Sequence, residues 1–197
     1  MKPITAVLGA LAAFVVIVGL WAMSAYNGLV NRQEAVNSAW GQVENVYQRR
    51  MDLVPNLVAT VKGAAGFEKS TITAVTEARA RVGSITVDKS VLNDPAQFKK
   101  FTAAQGELSG ALSRLLAVAE NYPALKATEN FRDLQVQLEG TENRIAVERR
   151  AFNETAMGYN AAIRRVPTNI VAGFGGFHAR PYFEAEAEAK KAPQVAF

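Results

Sequence analysis

The sequence contains no cysteine and only one histidine among its 197 residues. The missing thiols exclude disulfides, iron–sulfur clusters, thiolate zinc sites and cysteine nucleophiles. A single histidine, His178, excludes both the HExxH zinc motif and the paired Glu-x-x-His ligands of a di-iron bundle. We interpret His178 as an exposed loop residue, and we expect no catalytic residue, no cofactor and no metal site.

Charge is missing from one long stretch, since residues 3–31 contain no Lys, Arg, Asp or Glu. Within it, residues 4–23 are apolar and, as a helix, are long enough to cross a hydrocarbon core of about 30 Å. Trp21 and Tyr26 lie near its end, where aromatic side chains favour the membrane interface. We therefore predict a transmembrane signal anchor in residues 1–27. A cleaved signal peptide is the alternative, although its apolar region usually runs only about 7–15 residues.

The charges on either side of the predicted span favour a cytoplasmic N-terminus. Lys2 and the α-amino group precede the span, whereas Arg32 and Glu34 beyond it cancel each other. By the positive-inside rule, the remainder of the chain would then face outward from the membrane.

Small residues recur at helical spacing within the span. Ala6, Gly9, Ala10 and Ala13 would share one face, and small residues let the backbones of two helices approach closely in lipid. We predict that this face packs against another span in a homo-oligomer. The alternative is that small residues are simply scattered through an apolar run.

Proline separates the rest of the chain into segments that have helical periodicity. We predict helices near 28–52, 55–82, 95–121 and 127–166, the first continuing from the span and the third starting at Asp94-Pro95. The longest apolar stripe comprises Phe131, Leu134, Leu138, Ile145, Phe152, Tyr159, Ile163 and Val166. The pattern predicts an all-α fold, in which an N-terminal transmembrane helix continues into an antiparallel four-helix bundle of long, coiled-coil-like helices over residues 28–166.

Residues 167–197 differ in character from the predicted bundle. Residues 173–177 are glycine-rich and aromatic, which predicts a flexible loop, and a charged tail or short helix follows. Exposed apolar groups of this kind usually mark a contact surface, so we predict contacts with a partner or another copy of the chain. The residues in question are Phe174, Phe177, Val195 and Phe197. A mobile turn without a partner is the alternative.

One polar run stands beside the apolar stripe of the last predicted helix. Glu142, Asn143 and Arg144 are expected to form a network between helices with Arg49 or Arg50. A ligand-binding polar cluster is the alternative. Basic residues elsewhere are interspersed with acidic ones and lack flanking aromatic residues, so we expect no nucleic-acid binding.

Several motifs in order along the chain resemble those of the LemA family of bacterial membrane proteins. The most specific is the run RRxDLxPNLV at residues 49–58. Others are Ala39-Trp40, Glu77-Ala78-Arg79, Thr141-Glu142-Asn143-Arg144-Ile145, Arg149-Arg150-x-Phe152-Asn153, Tyr159-Asn160 and Pro193-x-Val195-x-Phe197. The resemblance implies a single span and a helical-bundle domain. It also implies a short N-terminus outside the cell, opposite to the orientation that the flanking charges favour, and it supplies no molecular activity.

These features together predict a non-enzymatic, membrane-anchored scaffold or adaptor that self-associates at the bacterial cell envelope. Its partners would be the lipid bilayer, further copies of the chain and an envelope protein. A cell-envelope sensor, or a module that binds a partner protein or lipid, is the alternative. No nucleophile, base and orienting group can be assembled from the sequence, so a hydrolase is not expected.

Overall fold

Helices make up the regular structure in a computed structural model that describes residues 2–64, 66–85 and 88–184, with side chains from residue 4 onward. The elements are α1 (Lys2–Lys62), α2 (Lys69–Gly83), a 3-10 helix (Lys89–Asn93), α3 (Pro95–Ala119), α4 (Pro123–Lys126), α5 (Glu129–Arg164) and α6 (Thr168–Phe174). No β-strand occurs in the ranges just given. The prediction of an all-α fold is therefore confirmed.

Helix α1 runs without interruption from the apolar segment into the bundle, over 61 residues. Among the described residues it is the one helix long and apolar enough to cross a membrane, and the rest of the fold buries none of its apolar window. The core helix of a soluble protein would instead bury an apolar stripe against its neighbours. The segment therefore has the length, composition and exposure of a membrane anchor, and its helix continues into the first bundle helix as predicted.

Pro55 lies inside α1, so the predicted helix boundary at this residue is wrong. Proline has no backbone N–H and leaves the carbonyl four residues earlier, that of Met51, without its usual partner. Arg79 of α2 supplies a substitute, because its Nε donates a hydrogen bond to the Met51 carbonyl at 3.3 Å. The chain turns only after Lys62, and the predicted helix 55–82 is therefore divided between α1 and α2.

The four long helices α1, α2, α3 and α5 form the predicted antiparallel bundle. Contacts between side chains give the direction of α5: Trp40 packs on Phe152, and Arg50 pairs with Glu142. Residue numbers therefore rise along α1 as they fall along α5. Each turn between consecutive long helices reverses the chain, which gives an up-down-up-down order.

Two clusters of buried side chains fill the bundle. The cluster far from the membrane span is mainly aliphatic and includes Val54, Leu57, Val75, Leu108, Leu112, Leu115 and Leu138. The cluster nearer the span is mainly aromatic and includes Trp40, Tyr47, Phe98, Phe101, Phe152, Tyr159 and Phe183. The predicted stripe extends too far at its end, because Val166 is 80% exposed. Helix α5 stops at Arg164, and the chain then leaves the bundle axis.

Asp94 begins α3 as predicted. Its carboxylate accepts hydrogen bonds from the N–H groups of Ala96 and Gln97 at 2.8 and 3.2 Å, and Pro95 occupies the first turn. The Gln97 and Ala96 N–H groups favour the ionised carboxylate and lower the pKa of Asp94. This cap fixes where the third long helix starts.

Candidate functional site at the membrane-proximal end of the bundle

Helix α6 lies beside the last turns of the membrane span. Its residues and Val18, Trp21 and Tyr26 of α1 line an apolar groove between the two helices. Val18 and Trp21 are 43% and 39% exposed, whereas Ile17 and Leu20 on the other side of α1 are 65% and 63% exposed. Helix α6 therefore covers one side of the span near its end.

The prediction of a flexible aromatic loop at residues 173–177 is wrong for its first half. Gly173 and Phe174 are the last residues of α6. The turn that follows is ordered by hydrogen bonds, since the N–H of Phe177 donates to the Ala172 carbonyl at 3.0 Å. Gly176 takes a φ of 70° there, which is the left-handed position that ends many helices and favours glycine.

The predicted assembly contacts in this region have different surroundings. Phe177 packs edge to face on Tyr26 within the same chain, with ring centroids 5.3 Å apart. Gly175 permits this contact, because a Cβ there would lie 2.6 Å from the Phe177 ring and 3.1 Å from the Tyr26 ring. Phe174, in contrast, is 93% exposed. The two other predicted contacts lie outside the described residues: Val195 and Phe197.

The four small residues predicted to contact another span are exposed on α1: Ala6, Gly9, Ala10 and Ala13. At about 100° per residue they share one face, roughly opposite the side that faces α6. Gly9 has open space where a Cβ would stand. The described part of the chain leaves this face uncovered.

Residues 177–184, which we call the strap, run along α5 after the α6 turn. The buried Asn160 side chain holds Arg180 by both backbone groups: its Nδ2 donates to the Arg180 carbonyl at 2.9 Å, and its Oδ1 accepts from the Arg180 N–H at 2.8 Å. Asn153 holds Phe183 in the same way, at 2.8 and 2.9 Å. Each asparagine thus replaces the partner that a neighbouring β-strand would provide.

The spacing of these two pairs explains the path of the strap. Asn153 and Asn160 are seven residues apart, which is about 10 Å along a helix. Arg180 and Phe183 are three residues apart, and a chain must be almost fully extended to span about 10 Å in three residues. The strap therefore runs extended and antiparallel to α5, away from the membrane.

The strap ends by placing Phe183 in the aromatic cluster. The Phe183 ring is 4.9 Å from that of Phe98, 5.5 Å from that of Phe152 and 6.1 Å from that of Trp40, between centroids. The Arg149 guanidinium lies 4.8 Å from the Phe183 centroid, on its ring face. The strap is therefore part of the core, although it has no helical pattern of its own.

A second polar cluster crosses the middle of the bundle around Arg50, which is 1% exposed. Its Nη1 donates to Glu142 Oε1 at 2.7 Å and to Ser109 Oγ at 2.5 Å. Its Nη2 donates to the backbone and side-chain oxygens of Gln105. Ser109 also donates to Glu142 Oε2 at 3.2 Å. The cluster therefore joins α1, α3 and α5.

The structure brings together only two of the five residues predicted for a polar network. Arg50 meets Glu142, whereas Arg49, Asn143 and Arg144 are exposed on the outer sides of their helices. Sequence reasoning missed Gln105 and Ser109. Their signal is a pair of polar residues four apart on α3, close to the apolar stripe of that helix.

A partly buried carboxyl group, that of Glu44, lies near the aromatic cluster. Burial raises the pKa of Glu44, an effect that the neighbouring Trp40 indole partly opposes and that Asp88 reinforces. Glu44 Oε1 and Trp40 Nε1 are both buried, and neither makes a hydrogen bond of normal geometry to any described residue. Burial of these two atoms without hydrogen bonds lowers the stability of the fold.

Metal-binding side chains do not converge in the part of the chain that the structure describes. No three His, Asp, Glu or Cys side chains there could hold a metal ion. His178 is exposed in the strap. The arrangement offers packing surfaces and a helix that continues from the apolar segment into the bundle.

Known proteins place this chain in a family. The model of the LemA family matches residues 39–197. Magnetosome protein MamQ of Magnetospirillum gryphiswaldense is 29% identical over 174 residues, which cover 80% of this chain and 64% of that protein. Protein LemA of Metamycoplasma hominis is 26% identical over 146 residues, covering 74% of this chain and 63% of that protein. The chain thus spans slightly less than two thirds of these relatives. Because the family model covers most of the sequence, this protein belongs to the LemA family.

Proposed function

We propose that this protein is a non-enzymatic, membrane-anchored scaffold or adaptor that self-associates through its span. The observation that carries the proposal is the unbroken helix α1, which joins the span to the bundle without a hinge. A contact between two spans would therefore also align the two bundles. Flexible linkers, in contrast, would let anchored domains rotate independently.

The uncovered small-residue face of α1 supports the self-association. Close backbone approach at small residues is a main source of helix pairing in lipid, where burial of apolar surface provides little driving force. Ala6, Gly9, Ala10 and Ala13 supply four such positions over two turns. Helix α6 covers the other side of α1, so α1 can contact α6 and a second span at the same time.

Two matched replacements of alanine by leucine in the span test this proposal. Ala10 lies on the small-residue face, and Ala12 is equally exposed at nearly the same depth but about 160° away round the helix. Light scattering in mild detergent should give the full-length chain a mass above that of one copy. Ala10→Leu should reduce this mass, and Ala12→Leu should leave it unchanged.

A wild-type chain that is monomeric at every detergent concentration would contradict self-association. Equal effects of the two leucines would show that another surface is used. Deleting residues 193–197 in the same assay tests whether Val195 and Phe197 take part, since loss of these contacts would also lower the mass.

For location, we propose the bacterial inner membrane, with an intact anchor and the bundle on its outer, periplasmic side. The support is the position of Lys2 and the α-amino group before the span. The chain has no cysteine, so Val136→Cys on α5 adds a single thiol to the bundle. Labelling by a membrane-impermeant maleimide in cells with a permeable outer layer and intact inner membrane would support the outward orientation, and labelling only after lysis would refute it. Release of the labelled chain from the membrane fraction would refute the intact anchor.

A further inference from the structure

Helix α6 directs its largest apolar side chains away from the protein core. Its inward-facing Ala172 is 3% exposed, whereas Ile170 and Phe174 are 57% and 93% exposed. Val166, just before the helix, is 80% exposed. Ile170 and Phe174 are four residues apart on α6 and share one face, and the exposed Val166 lies just before the helix. We call these three residues the apolar strip. Such a strip in water would mark a contact surface.

The depth of α6 beside the span indicates what this strip contacts. The α1 wall of the groove extends from Tyr26 back to Val18, whereas the apolar run ends at Met23. At about 1.5 Å per residue, the groove begins roughly 7 Å inside the end of the run. A helix beside this part of α1 must share its surroundings. Interfacial helices lie at a similar depth, about 5–10 Å into the boundary between headgroups and acyl chains.

The charges around α6 fit the same position. Residues 166–177 carry no Lys, Arg, Asp or Glu, and the exposed Arg164 and Arg165 come directly before them. The pairing of Trp40 with Phe152 places Arg164 level with residue 28 of α1, about 7 Å beyond the end of the apolar run. Arginine side chains at that level can reach lipid phosphates.

We propose that α6 is a second membrane contact of this chain, inserted in the interfacial layer of the leaflet from which α1 emerges. The strip formed by Val166, Ile170 and Phe174 contacts acyl chains, one of which fills the groove against α1. Arg164 and Arg165 bind phospholipid phosphates. Two contacts hold the bundle at a fixed tilt, whether or not the chain self-associates.

Solvent access to single thiols tests the insertion in the full-length chain, which has no natural cysteine. Phe174→Cys reports on α6. Val136→Cys is the matched control, because Val136 is also an exposed apolar residue, 67% exposed, roughly 40 Å along the bundle from α6. Both variants are placed as single copies in nanodiscs of phosphatidylcholine and phosphatidylglycerol. The rate of alkylation by a charged maleimide is measured relative to that of the unfolded chain.

The thiol at position 174 should react on the order of tenfold more slowly than that at position 136, as expected for burial at an interface. A fluorophore on the same thiol should be quenched by lipids that carry a nitroxide near the headgroup. Equal alkylation rates would overturn the proposal. Protection that appears only in vesicles holding many copies would also overturn it, because a second copy would then cover α6.

The arginine pair is tested in the same discs. Arg164→Gln with Arg165→Gln should speed alkylation of the thiol at position 174, because the phosphate contacts no longer hold α6 in the leaflet. An unchanged rate would refute the role of the two arginines. All of the substituted side chains are exposed, and the fluorescence of the buried Trp40 checks that each variant keeps the bundle folded.

Discussion

The presence of Pro55 should make the stability of the fold depend on the hydrogen bond from Arg79 to the Met51 carbonyl. Without proline, the N–H of residue 55 would donate to this carbonyl within α1. With proline, Arg79 Nε is the observed donor, at 3.3 Å. We therefore expect the cost of Arg79→Ala to depend on the residue at position 55.

The expected size follows from the geometry. A hydrogen bond from a charged donor contributes about 1.5–3 kcal/mol, and this one is long and only partly buried, so Arg79→Ala should lower the free energy of unfolding by about 1 kcal/mol. In a Pro55→Ala background the carbonyl regains a helical partner. The cost of Arg79→Ala should then fall by most of that amount, which is a coupling typical of residues that share one acceptor.

Denaturant unfolding of the full-length chain in detergent, followed by Trp40 fluorescence in a Trp21→Phe background, measures all four members of the cycle. Arg81→Ala is the control, because Arg81 lies on the same helix but pairs with Glu107 at the surface, where both side chains are about half exposed. The cost of Arg81→Ala should be the same whether or not the chain also carries Pro55→Ala. Equal costs of Arg79→Ala in the two backgrounds would refute the proposed role of Arg79.

Three further perturbations follow from the other contacts. Glu142→Ala should destabilise the bundle by about 1–3 kcal/mol in denaturant unfolding, because Arg50 stays buried without its counter-charge, and an unchanged midpoint would contradict this. Asn160→Ala removes both hydrogen bonds to the strap and should expose residues 177–184 to proteolysis at protease levels that leave the wild type intact, with Asn153→Ala adding to the effect. Burial raises the pKa of Glu44 in the folded chain, so folding stability falls as the pH rises through that pKa. Glu44→Gln should therefore stabilise the protein at pH 7, and the difference in stability from the wild type should shrink as the pH falls below the pKa of Glu44. A difference that stays constant with pH would contradict this prediction.

The anchor and the long helices could be predicted because their signals are local. The absence of charge over residues 3–31 and the apolar spacing through Trp40, Phe152 and Tyr159 do not depend on which other segments they meet. Asp94 and Pro95 likewise mark a helix start through contacts within one turn. The family resemblance rested on short motifs of the same local kind.

Other features could not be predicted because distant residues decide them. Proline normally breaks a helix unless another donor satisfies the carbonyl that it leaves free. The sequence does not reveal that Arg79 lies beside Met51 and supplies this donor. Similarly, Arg49 and Arg50 are equivalent as a pair, and only the rotation of α1 in the bundle buries one and exposes the other.

A helical anchor, a charged helical domain and the lack of thiol chemistry can all be predicted from the sequence without knowledge of the fold. Composition and the spacing of apolar residues depend only on residues that are close together in the sequence. The packing of the helices, in contrast, is needed to see that Asn153 and Asn160 hold the strap and that Phe183 completes an aromatic cluster. It is also needed to see that α6 lies against the span. These depend on the distances between helices, because two asparagines seven residues apart match an extended chain only after α5 and the strap are brought side by side.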